Sequence, residues 1–143
     1  MNIILRLAIF LTIYFLLQYY FPIVFQYTFY PINILVTFFH ELGHAFGSIL
    51  TGGSVHAMNV NPDGSGVTTT SGGSEGIIIM GGYIGSAIFG NILFYCGIKC
   101  DRLSKMVSYL LVAIFAYAAL FWLNSLFAML WAIAFAAAFL LLG

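Results

Sequence analysis

Three residues in one short stretch have the types and spacing to do chemistry: His40 and His44 flank Glu41 in the order His-Glu-Leu-Gly-His. On a helix, residues four apart lie one above the other on the same face, so both imidazoles reach a single metal ion. Zinc accepts such nitrogen donors and lowers the pKa of a coordinated water toward neutrality. Glu41, one residue along from His40, is placed to take a proton from that water, and together these parts form a hydrolytic centre. With only 3 His and 4 acidic residues in the chain, the pattern has few ways to arise by chance. The competing explanation, that these side chains only hydrogen-bond between helices, is the weaker one: a charged residue inside an apolar segment is costly when unpaired and is usually functional.

The elements that must position these residues belong to a membrane protein. Of 143 residues, 63% are hydrophobic, 18% aromatic and only 6% charged, whereas a soluble domain carries about a quarter of its residues charged. The mean hydropathy of +1.08 places the chain in a lipid bilayer. Four basic against 4 acidic residues argue against a nucleic-acid partner, because neutralising phosphates takes clustered Lys and Arg. Lys99, Arg102 and Lys105 are the one basic group. Cys96 and Cys100 are too few for a disulfide framework and read as small buried hydrophobes rather than metal ligands.

A spanning helix needs about 20 apolar residues, and the first candidate covers residues 2–21, interrupted strongly only by Arg6 and Gln18. It is too long and too aromatic for a secretory signal, and no small-residue cleavage site follows, so it reads as a retained helix. Pro22 and Pro31 bracket residues 23–30, which read as a kink or interfacial turn with Tyr27 and Tyr30 at the headgroups. Pro31 suits the first turn of a second helix over residues 31–51, which carries the histidines and ends at Gly52-Gly53. Residues 54–73 read as a β-hairpin turning at Asn61-Pro62-Asp63-Gly64, which must lean on the helices because an isolated hairpin is marginal.

A third span is expected at residues 76–98. Within it Gly82, Ser86 and Gly90 recur every four residues, a face suited to close packing against Gly43 and Gly47 of the second helix. After a charged loop at residues 99–105, every residue from Met106 to Leu142 is uncharged; as one helix this would run about 55 Å against a hydrocarbon core of about 30 Å. Two spans, 106–123 and 126–142, with a turn at Trp122-Leu123-Asn124-Ser125, fit instead. The expected fold class is therefore an all-α, multi-pass membrane protein of about five transmembrane helices, with a β-hairpin after the His-Glu-His helix. Residues 1–143 form a single membrane domain in this reading, without repeats. Counting basic residues puts the 99–105 loop in the cytoplasm.

The sequence resembles the site-2-protease-like intramembrane zinc metalloproteases, and within them a small bacterial membrane peptidase-like branch. The resemblance runs from about Asn33 to the end of the chain. It rests on Phe39-His40-Glu41-Leu42-Gly43-His44-Ala45, Thr51-Gly52-Gly53, the stretch from Asn61 to Thr68, and Gly82-Tyr83-Ile84-Gly85-Ser86-Ala87. It implies a zinc cofactor held within the membrane by His40 and His44, with Glu41 as catalytic base. It also implies a hairpin that holds substrate as an added strand. In that family a further acidic ligand comes from a later helix, yet no acid follows Asp101 here. The third ligand stays open among His56, Asp63, Glu75 and Asp101. Asp63 reads otherwise as a turn former that bonds its own backbone, Asp101 and Glu75 as solvated charges, and His56 as a hydrogen-bonded strand histidine. The chain ends apolar, which suggests either a domain shortened relative to its relatives or one completed by another chain.

Two functions follow from these residues. The first is a zinc-dependent endopeptidase that cleaves membrane-protein substrates within the bilayer. The alternative is a catalytically inactive, protease-like structural or assembly subunit of a membrane complex. The partners are accordingly the lipid bilayer and either a membrane-protein substrate or partner subunits. The location is an integral, multi-pass one, in a bacterial inner membrane or its organellar equivalent.

Overall fold

Asn2 opens the first helix, α1 (Ile3–Tyr20), by accepting a hydrogen bond on its side chain from the Ile4 N–H at 3.3 Å. One of the donors orphaned at a helix start is thereby satisfied. The computed structural model describes residues 2–99 and 101–142. After α1 come α2 (Pro22–Leu50), the strands β1 (Ser54–Val60) and β2 (Gly66–Ser71), then α3 (Glu75–Lys99), α4 (Asp101–Phe121) and α5 (Leu126–Leu142). The protein is an all-α membrane protein with one two-stranded antiparallel hairpin between α2 and α3. Long apolar stretches able to cross a bilayer lie at Pro22–Leu50, Glu75–Cys96 and Arg102–Phe121; α1 and α5 are apolar but shorter.

Two expectations change. Residues 23–30 are not a turn: α2 starts at Pro22 and runs through Pro31. Pro22 sits at the first helical position, where its missing N–H costs nothing, and in lipid a helix interrupted by proline is still better than unpaired backbone. The charged segment 99–105 is not a loop either, since α3 extends to Lys99 and α4 begins at Asp101. Cys100 lies outside the described residues. The expected turn at residues 122–125 is where the structure has it, between α4 and α5.

The chain divides into two units, Met1–Asn33 and Ile34–Gly143. In the first, α1 lies against the start of α2, with the Tyr14 ring edge-on to Phe25 at 5.0 Å. In the second, Ile34, Phe38, Leu42 and Ala45 form one fully buried face of α2, recurring at the three- and four-residue intervals of a helix. Phe38 meets Phe115 of α4 at 5.5 Å and Phe135 of α5 at 5.9 Å, both edge-on. Within a bilayer such packing is held by van der Waals fit, because lipid tails are as apolar as the side chains they replace.

A second face of α2 crosses α3. A Cβ on Gly43 would overlap the carbonyl oxygen of Gly81, one on Gly47 would lie 2.9 Å from the Ile77 carbonyl oxygen, and one on Gly85 would lie 2.7 Å from the Gly43 Cα. The expected pairing of these helices through small residues holds, but α3 is rotated by one position. Gly81 and Gly85 make the backbone contact, Gly82 faces the histidines, and Gly90 faces open space. The obstacle at Gly43 is backbone and cannot swing aside, so Gly43→Ala is expected to destabilise by about 1–3 kcal/mol. Gly90→Ala gains helix propensity without a clash and is expected to be neutral or stabilising by up to about 1 kcal/mol. Thermal unfolding of the two variants in detergent reads the contrast, and equal midpoints would refute the crossing.

The hairpin is fastened at both ends. Its turn closes through the Gly64 N–H on the Asn61 carbonyl at 3.0 Å, with Gly64 at φ +84°, a backbone angle that glycine takes without penalty. The Met58 N–H donates to the Trp122 carbonyl at 2.8 Å, and the Asn59 side-chain oxygen accepts from the N–H groups of Asn124 and Ser125 at 3.2 and 3.1 Å. Thus β1 is stitched to the α4–α5 turn, while Ser125 caps α5 by accepting from the Ala128 N–H at 3.2 Å.

Candidate metal centre

His40, Glu41 and His44 each present a ligand atom to one point on α2, and those three atoms lie within 4.8 Å of one another. The helix supplies the spacing; its neighbours supply the orientation. On the α3 side, His44 Nδ1 lies 2.6 Å from the Ile78 carbonyl oxygen. A carbonyl can only accept, so Nδ1 carries the proton and the Nε2 lone pair is left free, the tautomer that a metal-binding histidine needs. The His40 ring stands perpendicular to both His44, at 4.6 Å, and Tyr83, at 4.9 Å. On the hairpin side, Glu41 is only 4% exposed, and its carboxylate is met by β2: Thr68 Oγ1 donates to Oε2 at 2.6 Å. Gly66 lies so close that a Cβ there would overlap Oε1.

The donor set suits a zinc ion by its chemistry, two imidazoles and a carboxylate brought together, and α3 packs closely on the two rings. A Cβ on Gly82 would lie 2.5 Å from His44 Nε2 and 2.7 Å from His40 Cε1. Glycine at position 82 is therefore what lets the α3 backbone lie close against the two imidazoles.

Of the other ligand candidates, His56, Asp63 and Glu75 do not join this group. His56 is the unpaired residue where the strand register slips between Val55 and Ala57. It is exposed and reaches Ser71 Oγ at 2.7 Å instead. Asp63 stays in its turn, accepting from the Ser65 N–H at 2.9 Å and the Ser65 hydroxyl at 2.7 Å. The Ser65 hydroxyl, and after it the Ser65 N–H, hold its carboxyl below the usual carboxylate range. Glu75 is exposed in the first turn of α3. The Asp101 side chain lies outside the described residues. Among the described residues, the His40, Glu41 and His44 group is the one with metal-binding spacing.

Thr68, Gly66 and Gly82 shape this centre, although the residues of the His-Glu-His motif alone do not point to them. A signal for the hairpin contact does exist in α2. Thr37, Glu41, His44, Ser48 and Thr51 recur at intervals of four and three in an otherwise apolar helix, and such a stripe marks one face. Four of them touch the hairpin or its flanks: Thr37 Oγ1 donates to the Gly64 carbonyl at 2.8 Å, Glu41 accepts from Thr68, Ser48 Oγ donates to the Ser54 carbonyl at 3.5 Å, and Thr51 Oγ1 accepts from the Ser74 N–H at 2.9 Å.

A helical membrane bundle with paired histidines and a glutamate on one helix face defines the class of membrane metallopeptidases. Residues 6–143 match the family described as Peptidase M50B-like, and the chain belongs to that family. The match includes α1, so it reaches further toward the N-terminus than the motifs alone. No curated protein and no solved structure matches the chain.

Proposed function

We propose that the protein is a zinc-dependent intramembrane endopeptidase acting on membrane-protein substrates. The observation that carries this reading is the convergence of His40, Glu41 and His44 within 4.8 Å, with His44 held in its metal-binding tautomer by the Ile78 carbonyl. His40 and His44 would hold the ion. When bound, zinc acidifies water and polarises a carbonyl, the chemistry that amide hydrolysis requires. Glu41 then takes the proton from the attacking water and returns it to the leaving amine, a shuttle one carboxylate can serve because both positions lie within its reach.

Substrate presentation falls to the hairpin. A helical peptide bond is shielded by its own hydrogen bonds, so the substrate segment must be unwound and held extended. Among the described strands, β2 pairs with β1 alone, while β1 carries the bridge from Met58 to Leu123 on its other side. The outer edge of β2, adjoining Glu41 through Thr68, is therefore the one able to receive an added strand.

The test is elemental analysis and cleavage together, on the purified full chain and on His44→Ala. One zinc per wild-type chain and cleavage of a membrane substrate are expected, with both lost in the variant. Equal metal in the two proteins, or none in either, would refute the proposal.

A further inference from the structure

A glutamate side chain has three rotatable bonds, and a general base works only when its carboxylate points at the proton it removes. Something must hold Glu41 still. Its neighbours on α2 are histidines that face α3, so the constraint comes from the hairpin. Gly66 and Thr68 are two apart on β2 and share the face turned toward α2. Thr68 Oγ1 has one proton and two acceptors in reach, Glu41 Oε2 at 2.6 Å and the Glu41 carbonyl oxygen at 3.1 Å. The shorter, charge-assisted bond goes to the carboxylate. Gly66 covers the other carboxylate oxygen. One oxygen is thus tied and the other walled in.

Thr68 is itself firmly placed. It pairs across the hairpin with Met58, which is fully buried and whose N–H donates to the Trp122 carbonyl at 2.8 Å. The hairpin turn is anchored one helical turn before Glu41 by Thr37. We infer that Thr68 is a positioning residue for Glu41: its hydroxyl sets the direction in which the carboxylate presents its remaining lone pairs to the attacking water. This role rests on the peptidase reading. The hairpin accordingly has a second task besides presenting an edge to substrate, which is to aim the base.

The test uses Thr68→Val, which removes the hydroxyl at nearly constant shape, and Thr68→Ser, which keeps it. The probe is a quenched fluorescent transmembrane peptide screened for cleavage by the purified wild-type chain. For Thr68→Val, kcat is expected to fall about 10- to 100-fold, with KM within about twofold of wild type and zinc content unchanged. Thr68→Ser should recover most of the lost rate. Should valine prevent folding, Thr68→Ala removes the same hydroxyl without setting a methyl against the carboxylate. In thermal unfolding, Thr68→Val and Glu41→Ala should be non-additive, because each removes the same contact. A wild-type kcat in the valine or alanine variant, an equal loss in the serine variant, or additivity in unfolding would overturn the role while leaving the peptidase reading intact. Absence of any cleavage by the wild type overturns both.

Discussion

Glu41→Gln is expected to stop cleavage while leaving zinc bound. The substitution conserves size, and an amide oxygen still accepts from Thr68 Oγ1, which donates to Glu41 at 2.6 Å. The bond from Thr68 is therefore kept, and the hairpin should keep its seat. What disappears is basicity. An amide cannot take a proton from water at neutral pH, and the general-base contribution lost is about 10²- to 10⁴-fold in rate. Zinc should remain because, in the proposed centre, His40 and His44 hold it and neither is altered. Cleavage of co-expressed membrane substrates, alongside zinc content, makes the comparison. An inactive assembly subunit behaves differently: wild type and Glu41→Gln would both fail to cleave, and complex assembly, lost on deletion of the whole chain, would be normal in the variant. That result would replace the peptidase reading with the scaffold one.

Gly82→Ala is expected to abolish zinc binding without touching a ligand. The added methyl would lie 2.5 Å from His44 Nε2 and 2.6 Å from His44 Cε1, so the imidazole must move. The groups in the way are ring edges at the ends of side chains, not backbone, so the helices need not separate and the fold should survive. His44 cannot yield freely, because turning the ring away breaks its 2.6 Å bond to the Ile78 carbonyl. Losing a group that orients a ligand typically costs about 10- to 100-fold in metal affinity, and here the ring itself is displaced. Elemental analysis should therefore show loss of zinc in a variant whose unfolding midpoint stays near that of wild type. Full zinc occupancy in Gly82→Ala would place the metal elsewhere.

These variants also show how unevenly the centre can be read from sequence. His40, Glu41 and His44 are legible because a helix converts spacing into proximity, with no need to know what packs around it. The hairpin is legible from Asn61-Pro62-Asp63-Gly64 between strand formers, and the turn at residues 122–125 from the length of the uncharged run that follows Lys105. The break before Pro22 is legible too, but the continuation of α2 through Pro31 and the helical start of α4 at Asp101 are not, because prolines and charges are read as breaks by local rules derived from water. In a bilayer the cost of exposed backbone keeps α2 going past Pro31.

The face of α3 marks the same divide. Gly82, Ser86 and Gly90 have the right spacing for a helix contact, but Gly81 and Gly85 have it too, and sequence offers two small-residue rows one position apart. Packing decides between them: with Gly81 and Gly85 against Gly43, the chain turns Gly82 toward the imidazoles and leaves Gly90 in the open.

What the sequence by itself determined is local in origin: a membrane protein from its composition, a pair of histidines and a glutamate on one helix from their spacing, and a hairpin from its turn residues. Only the tertiary structure decided which atoms meet from afar. The Ile78 carbonyl selects the tautomer of His44, Thr68 ties Glu41, and Gly82 lets α3 close on the two imidazoles, across 27 to 42 residues of chain. Such contacts depend on the rotation and height of one element against another, which are set by the summed packing of many side chains; the polar stripe of α2 marks a face but does not name its partner atoms.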